Sequence, residues 1–418
     1  MNAFNENTRV FCFVCGEEHQ AVTYEEDGSM KCRIDCPRSP GKVIALSSDA
    51  AQFLRFRSFH AQKVERRQQF ALLHVTDRCS MRCPICYASS GDGGARPVDE
   101  IVEMARRAKE AGVRSVSLTG GEPTEHPGLE EIVRRVSRDL GLRTALLTNG
   151  LALAADGSLA GRLRRAGLSK AVISFDTLSS DTSRAMRGGD YVDAKLRAFS
   201  SAAAAGLSLS ANTTVCDLNL HEVGAVFRTL ASRFPRMTHV LLQPFADFGR
   251  RDVHCRIDRE QIVRALVESG EFPVSDPDHF IPAPNIPAFG VSVHPDCCAV
   301  CPVVVRGVGP NARMAPLSSP DALRRLCVRL ASVDGRGIIP PTMKAAFAWF
   351  RCAGLLGLPL LGRRGIGGRV VLAVIDNLPD RDCMLADRIG RCGSALVCAD
   401  GCLRPVCAAY RMGLERRK

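Results

Sequence analysis

The stretch "FALLHVTDRCSMRCPICYASS" (residues 70–90) decides the fold. Its first seven residues are an apolar, β-rich run. Three cysteines follow, Cys79, Cys83 and Cys86, spaced C-x3-C-x2-C. Thiolates this close together ligate zinc or an iron–sulfur cluster. In a four-iron cluster, three thiolates leave one iron open to a substrate or cofactor. The residues alone also allow a zinc site with a distant fourth ligand, or buried cysteines with no ligand.

Downstream, strand-like runs alternate with helical ones. "VRSVSLTGG" (113–121), "LRTALLTNG" (142–150), "SKAVISFD" (169–176), "LSLSANTTV" (207–215) and "THVLLQPF" (238–245) read as strands two to six. Between them, residues 96–112, 126–141, 157–167, 191–206 and 221–235 carry apolar residues at helical spacing. Six strands alternating with helices predict βα units and a parallel sheet, an α/β fold. In such folds chemistry gathers where strands end and loops begin. The cysteine triplet, "GGEPT", "TNG", "SFD" and "QPF" all fall there.

The chain has 418 residues, 46% hydrophobic and 24% charged, which predicts a packed globular protein. Its formal charge of +12 comes mainly from scattered arginine, with 1 Trp and 4 Tyr, so no basic face interleaved with aromatics points to nucleic acid. No apolar run is long enough to predict a transmembrane helix, and the N-terminal residues lack a secretory pattern. Cysteine is the outlier at 19, which in this setting predicts metal or redox chemistry in a reducing, cytoplasmic compartment.

Three units are expected: residues 1–50 as a four-cysteine knuckle, 68–255 as the barrel, and 256–418 as a cysteine-rich region. In the first, Cys12-x2-Cys15 and Cys32-x3-Cys36 suit one tetrahedral metal, either zinc or mononuclear iron. In the third, Cys297, Cys298 and Cys301 form one group, and Cys383, Cys392, Cys398, Cys402 and Cys407 another. These eight are expected to hold auxiliary iron–sulfur clusters, with Cys352 as a further candidate. Cys216 and Cys327 read as small core residues, and Cys255 has no assignment. The apolar stretch "AGLLGLPLL" (353–361) reads as a core helix, with a greasy substrate surface as the alternative.

"CSMRCPIC" resembles the cluster motif of radical S-adenosylmethionine enzymes, and "GGEPT" resembles that family's glycine-rich motif. The resemblance implies a partial (β/α)6 barrel with an N-terminal rubredoxin-like knuckle and a C-terminal cysteine-rich domain. It implies that Cys79, Cys83 and Cys86 hold a [4Fe-4S] cluster whose open iron binds S-adenosylmethionine. Gly120, Gly121 and Glu122 are then expected around the methionine amino group. Asn149, Ser174 and Asp176 are expected on the same rim, the last two near the ribose and carboxylate.

The full-length plan resembles the branch of pterin-methylating, methylenetetrahydrofolate-linked radical methyltransferases and tetraether lipid synthases. It departs from them around Cys392, which lacks a following His-Tyr, and in the extra Cys398 and Cys402. The implied activity is carbon–carbon bond formation at an unactivated carbon of a small-molecule or lipid substrate, by methylation or alkyl coupling. A flavodoxin or ferredoxin would donate the electron. The rivals are a radical oxidoreductase without methyl transfer and a non-catalytic iron–sulfur electron carrier, which would have no use for an open iron.

Overall fold

The computed structural model describes residues 5–59, 70–245, 255, 257–283, 294–331, 368–377, 383–398 and 400–411, with backbone alone at 327–331 and 411. Cys352, the 353–361 stretch, the Cys327 side chain and residues 246–251 of the expected barrel closure lie outside the described side chains.

All six expected strands form. They are β5 (Phe70–Arg78), β7 (Ser115–Gly120), β8 (Arg143–Thr148), β9 (Lys170–Ser174), β10 (Ser208–Val215) and β11 (Met237–Pro244), and each pairs in parallel with the next. The architecture is a partial (β/α)6 barrel. In β5, residues 71–76 are all buried, as expected for a parallel strand covered on both faces. The covering helices include α2 (Val98–Glu110), which turns Ile101, Met104, Ala105 and Ala108 inward at helical spacing. Others are α3 (Leu129–Arg134), α5 (Leu159–Ala166), α7 (Val192–Ala204) and α8 (Val223–Arg233). Two short helices were not foreseen: α4 (Leu151–Ala155) and α6 (Ser180–Arg187). A Ser179 cap and the left-handed Gly188 bound α6.

A second sheet is N-terminal: β1 (Asn5–Cys12), β2 (Glu18–Glu26), β3 (Ser29–Ile34) and β4 (Val43–Ser47), an antiparallel meander followed by α1 (Ala50–Ser58). The remaining described strands join one sheet or the other. After β6 (Asp92–Ala95), which pairs with β5, and helix α9 (Arg259–Glu268), β12 (Ile281–Pro282) pairs with β13 (Cys298–Arg306). β13 also pairs with β14 (Arg313–Pro316) and with β15 (Arg369–Asp376), which lies parallel to β11. Helix α10 (Pro320–Ala331) lies between β14 and β15 in the chain.

The chain then divides its remaining strands. β16 (Cys383–Leu385) pairs with β1, whereas β17 (Ser394–Val397) runs parallel to β5 and pairs with β18 (Leu403–Pro405). Helix α11 (Ala386–Gly390) separates β16 from β17, and α12 (Val406–Arg411) ends the described chain. All three β16 residues are buried, so this strand covers the otherwise open edge of β1.

Candidate metal and cofactor site at the barrel rim

The thiol loop leaves β5 at Arg78 and returns through β6. Cys79 N–H donates to Gly91 O at 2.8 Å and Gly91 N–H to Asp77 O at 3.0 Å, which closes the loop at its base. Inside it, Cys86 N–H reaches Cys83 O and Ser89 N–H reaches Cys86 O, both at 3.2 Å. These turns draw the three cysteines inward; Cys83 is buried, Cys79 and Cys86 partly so. Glu125 accepts from Ser80 N–H at 2.7 Å and pins the loop to the turn after β7. Burial pushes the Cys79 thiol up to about 11, and the negative charges of Glu122, Cys83 and Glu125 add to this. A thiolate there needs a neighbouring positive charge, which an iron–sulfur cluster provides. The residues therefore fit a cluster held by Cys79, Cys83 and Cys86.

"GGEPT" packs directly against that loop. Gly121 N–H donates to Thr76 O at 2.7 Å and Glu122 N–H to Arg78 O at 2.6 Å. A Cβ on Gly120, which has φ +140°, would lie 2.2 Å from Thr76 O, and one on Gly121 2.1 Å from Arg78 O. Only glycine lets the two strand ends approach this closely. Glu122 is buried, and its carboxylate accepts four hydrogen bonds. They come from Thr124 N–H (3.0 Å), Thr124 Oγ1 (2.6 Å), Thr148 Oγ1 (2.7 Å) and Asn149 N–H (2.7 Å). Burial raises its pKa, although these bonds pull the other way. The Asn149 side chain accepts from Leu151 N–H at 2.8 Å and starts α4. Glu122 thus ties the ends of β7 and β8 together.

Past β9, Asp176 is buried in a fork of Arg187, with both bonds at 2.7 Å. Thr214 N–H donates to the same carboxylate at 3.0 Å. Lys195 Nζ lies 3.8 Å away and donates to Ser174 Oγ at 2.9 Å. Burial would raise the Asp176 pKa, but the charges of Arg187 and Lys195 outweigh it and hold the carboxyl low. Burial pulls Lys195 down to about 8, against the attraction of Asp176. Arg187 also interacts with Cys83, and Lys195 feels the charges of Cys83 and Glu122. The thiol loop, Glu122, Ser174 and Asp176 therefore share one electrostatic site.

Sequence reasoning missed Arg187 and Lys195. A signal for Lys195 existed: it heads the stripe Lys195, Ala198, Phe199 and Ala202, at helical spacing on the buried face of α7. A cation on an apolar stripe has a buried partner or a function.

In the N-terminal sheet the Sγ atoms of Cys12, Cys15 and Cys36 lie within 4.8 Å of one another. The Cys36–Cys12 separation is 3.7 Å and the Cys15–Cys36 separation 3.9 Å. With metal–sulfur bonds of about 2.3 Å, a tetrahedron has edges of about 3.8 Å. Three cysteines therefore stand as three corners of such a site. The structure does not bring Cys32 to it. Cys32 pairs with Thr23, which pairs with Glu6, six residues before Cys12 on β1. That is roughly 20 Å along the strand. Its thiol is buried beside Thr23, and burial pushes it up to about 11. The C-x3-C spacing suggested a knuckle, but its first cysteine is in mid-strand.

The eight C-terminal cysteines do not share one site. Cys407, a partly buried thiol, feels the charges of Cys392 and Cys297, and Arg388 feels the charge of Cys297. Cys298 lies opposite Asp376 on β15. Cys301 is fully buried among core residues, and burial alone raises its thiol. Cys398 and Cys402 flank the β17–β18 turn, where Cys398 N–H donates to Cys402 O at 2.9 Å. Cys383 lies in the N-terminal sheet. Cys216 is buried as expected, and Cys255 rests beside it and Asp217. Among the described residues, no helix is long and apolar enough to cross a membrane.

Parts of the chain are similar to known proteins. Residues 73–230 match the model of the Radical SAM superfamily. A 7,8-dihydro-6-hydroxymethylpterin dimethyltransferase of Methanocaldococcus jannaschii is 24% identical over 322 residues, 69% of this chain and 63% of that protein. A GTP 3′,8-cyclase of Pelotomaculum thermopropionicum is 36% identical over 189 residues, 43% of this chain and 57% of that protein. The chain thus aligns with less than two thirds of either relative's length. Among solved structures, Streptococcus suis SuiB bound to S-adenosylmethionine has a TM-score of 0.42 at 19% identity, covering 47% of this chain and 45% of that one. By the family match and the strand-end placement of the thiol loop, residues 73–230 of this chain are a domain of the radical SAM superfamily.

Proposed function

We propose that the chain is a radical S-adenosylmethionine enzyme that forms a carbon–carbon bond at an unactivated carbon, by methylation or alkyl coupling. The observation that carries the reading is the shared site at the rim, where Cys83, Glu122, Ser174 and Asp176 interact through Arg187 and Lys195. When bound, the cluster and S-adenosylmethionine supply one-electron sulfonium cleavage and a 5′-deoxyadenosyl radical that abstracts hydrogen. Cys79, Cys83 and Cys86 hold the cluster. Gly120 and Gly121 bring the strand edge close to the methionine amino group. Glu122 fixes that edge and the Asn149 peptide. Ser174 and the Asp176–Arg187–Lys195 group present fixed charges to the ribose and carboxylate side of the cofactor, in a site largely shielded from water.

The choice of carbon–carbon bond formation is supported by the pterin dimethyltransferase, whose alignment spans 69% of this chain against 43% for the cyclase. Cys12, Cys15 and Cys36 form a mononuclear zinc or iron site. Cys297, Cys392 and Cys407 form an auxiliary iron–sulfur site. A cytoplasmic flavodoxin or ferredoxin donates the electron, and the substrate is a small molecule or lipid. A second reading, oxidation without methyl transfer, is favoured by the C-terminal thiol site, since an auxiliary cluster can accept an electron from a substrate radical.

Reconstituted, reduced protein incubated with S-adenosylmethionine is expected to release 5′-deoxyadenosine, and the Cys83→Ala variant is not. Absence of that product from the wild type overturns the enzyme reading. With substrate present, failure of label to reach the product from either methyl-labelled S-adenosylmethionine or labelled methylenefolate favours oxidation.

A further inference from the structure

We propose that Cys383, from the C-terminal segment, is the fourth thiolate of the N-terminal metal site. One tetrahedral ion then clamps β16 onto β1. The inference deepens the mononuclear metal reading above and rests on it.

Three corners of the site are Cys12, Cys15 and Cys36, at tetrahedral separations of 3.7 and 3.9 Å for the pairs they share with Cys36. Cys32 is too far along β3 to be the fourth, because its register is level with Glu6 and not with Cys12. A side chain of one carbon and one sulfur cannot span roughly 20 Å. Cys383 lies directly opposite Cys12 in the antiparallel β1–β16 ladder. Side chains of such a pair leave the sheet on the same face, with Cβ atoms roughly 4.5–5.5 Å apart. Cys383 Sγ does not lie within 4.8 Å of all three other thiols in this structure, and a change of χ1 rotamer would bring it to the fourth corner. Cys12 and Cys383 are buried, at 1% and 0% exposure, in a cluster that also holds Cys36 and, farther along β3, Cys32, and Cys15 packs against it; it is the register opposite Cys12 that singles out Cys383.

The competitor is His19. Its Nε2 lies 3.0 Å from Cys15 Sγ, the distance of a thiol–imidazole hydrogen bond. His19 is opposite Val10, two residues before Cys12 and roughly 7 Å back along β1, and it is partly exposed. It serves as a hydrogen-bond partner that supports the Cys15 thiolate from outside the coordination sphere.

The clamp has a structural consequence. β16 has only 3 residues and runs straight into α11. Asp387 on α11 accepts from His294 Nε2 at 2.7 Å, and Arg388 donates to Asn377 O just past the end of β15 and feels the charge of Cys297. An ion holding Cys383 therefore also anchors the segment that lines the C-terminal thiol site.

The test loads the full-length protein with zinc and counts sulfur ligands by zinc-edge X-ray absorption, which is blind to iron. Zinc retention against a chelator is measured in parallel. Four sulfurs are expected in the wild type, in Cys32→Ser and in His19→Gln, but three sulfurs and a light atom in Cys383→Ser, with faster zinc loss. Three sulfurs and a nitrogen in the wild type, reverting to a water ligand in His19→Gln, overturns the proposal in favour of His19. So does a Cys383→Ser protein that still shows four sulfurs. If Cys383→Ser fails to fold, the wild-type, Cys32→Ser and His19→Gln counts still decide. A wild type that binds no zinc or iron at this sheet sinks the metal site itself, a result distinct from a wrong fourth ligand.

Discussion

Replacing Glu122 by alanine tests whether this carboxylate ties the rim together or is a free ligand. Its oxygens accept from two backbone N–H groups, Thr124 and Asn149, and from two hydroxyls, Thr124 and Thr148. Alanine leaves all four donors without their acceptor. The hydroxyls can rotate toward other partners, but the two N–H groups are fixed by the turn and by the start of α4. Each buried donor left unmet costs about 1–3 kcal/mol, and bonds to a charged acceptor lie at the upper end. Two fixed donors plus the lost packing give a destabilisation of about 4 kcal/mol. Thr148→Val, which removes one donor and leaves the carboxylate, is expected to cost about 1 kcal/mol. The measurement is urea unfolding by circular dichroism, without S-adenosylmethionine and at matched metal content. Equilibrium dialysis supplies the cofactor affinity. A Glu122→Ala protein within about 1 kcal/mol of wild-type stability, but with strongly weakened cofactor affinity, would refute the reasoning. The carboxylate would then be spent on the ligand and not on the strands.

Three further predictions follow from the same structure. Arg187→Ala leaves the buried Asp176 carboxylate with only the Thr214 N–H and the more distant Lys195, so stability is expected to fall by about 3 kcal/mol, read by urea unfolding; an unchanged midpoint would mean the pair is not formed. Cys301→Ala is expected to keep the iron and sulfide content of the wild type and to cost about 1 kcal/mol, whereas Cys297→Ala lowers that content; the reverse pattern would exchange their roles. Burial and the Lys170 charge hold His239 at about 3, below its ordinary 6.5. Its unfolded state alone takes up a proton between those values, so its contribution to stability is lost as pH falls from 6.5 toward 3. At pH 5.5 this amounts to about 1.4 kcal/mol. His239→Asn is expected to flatten the acid side of the stability profile by that much in urea titrations at several pH values.

The order of the six barrel strands could be read from sequence because parallel strands are apolar on both faces and alternate with amphipathic helices. The thiol triplet and "GGEPT" were legible for a related reason: strand-end motifs are local, and the order of the elements puts them on one rim. Spacing alone misplaced Cys32. A C-x3-C pair looks the same whether it folds as a knuckle or continues as a strand, and here Cys32 is in β3 while Cys36 lies just beyond its end.

Local sequence thus determined the barrel, its rim and the presence of thiol chemistry, because those depend on periodicity and on residues close together in the chain. Tertiary structure alone decided which distant groups meet. Arg187 and Lys195 reach Asp176 and Ser174 only because α6 and α7 pack over the strand ends. Cys383 meets Cys12 across 371 positions of sequence only because β16 pairs with β1. Such pairings are set by the burial of whole faces and edges, a property of the packed chain that no short window of residues carries.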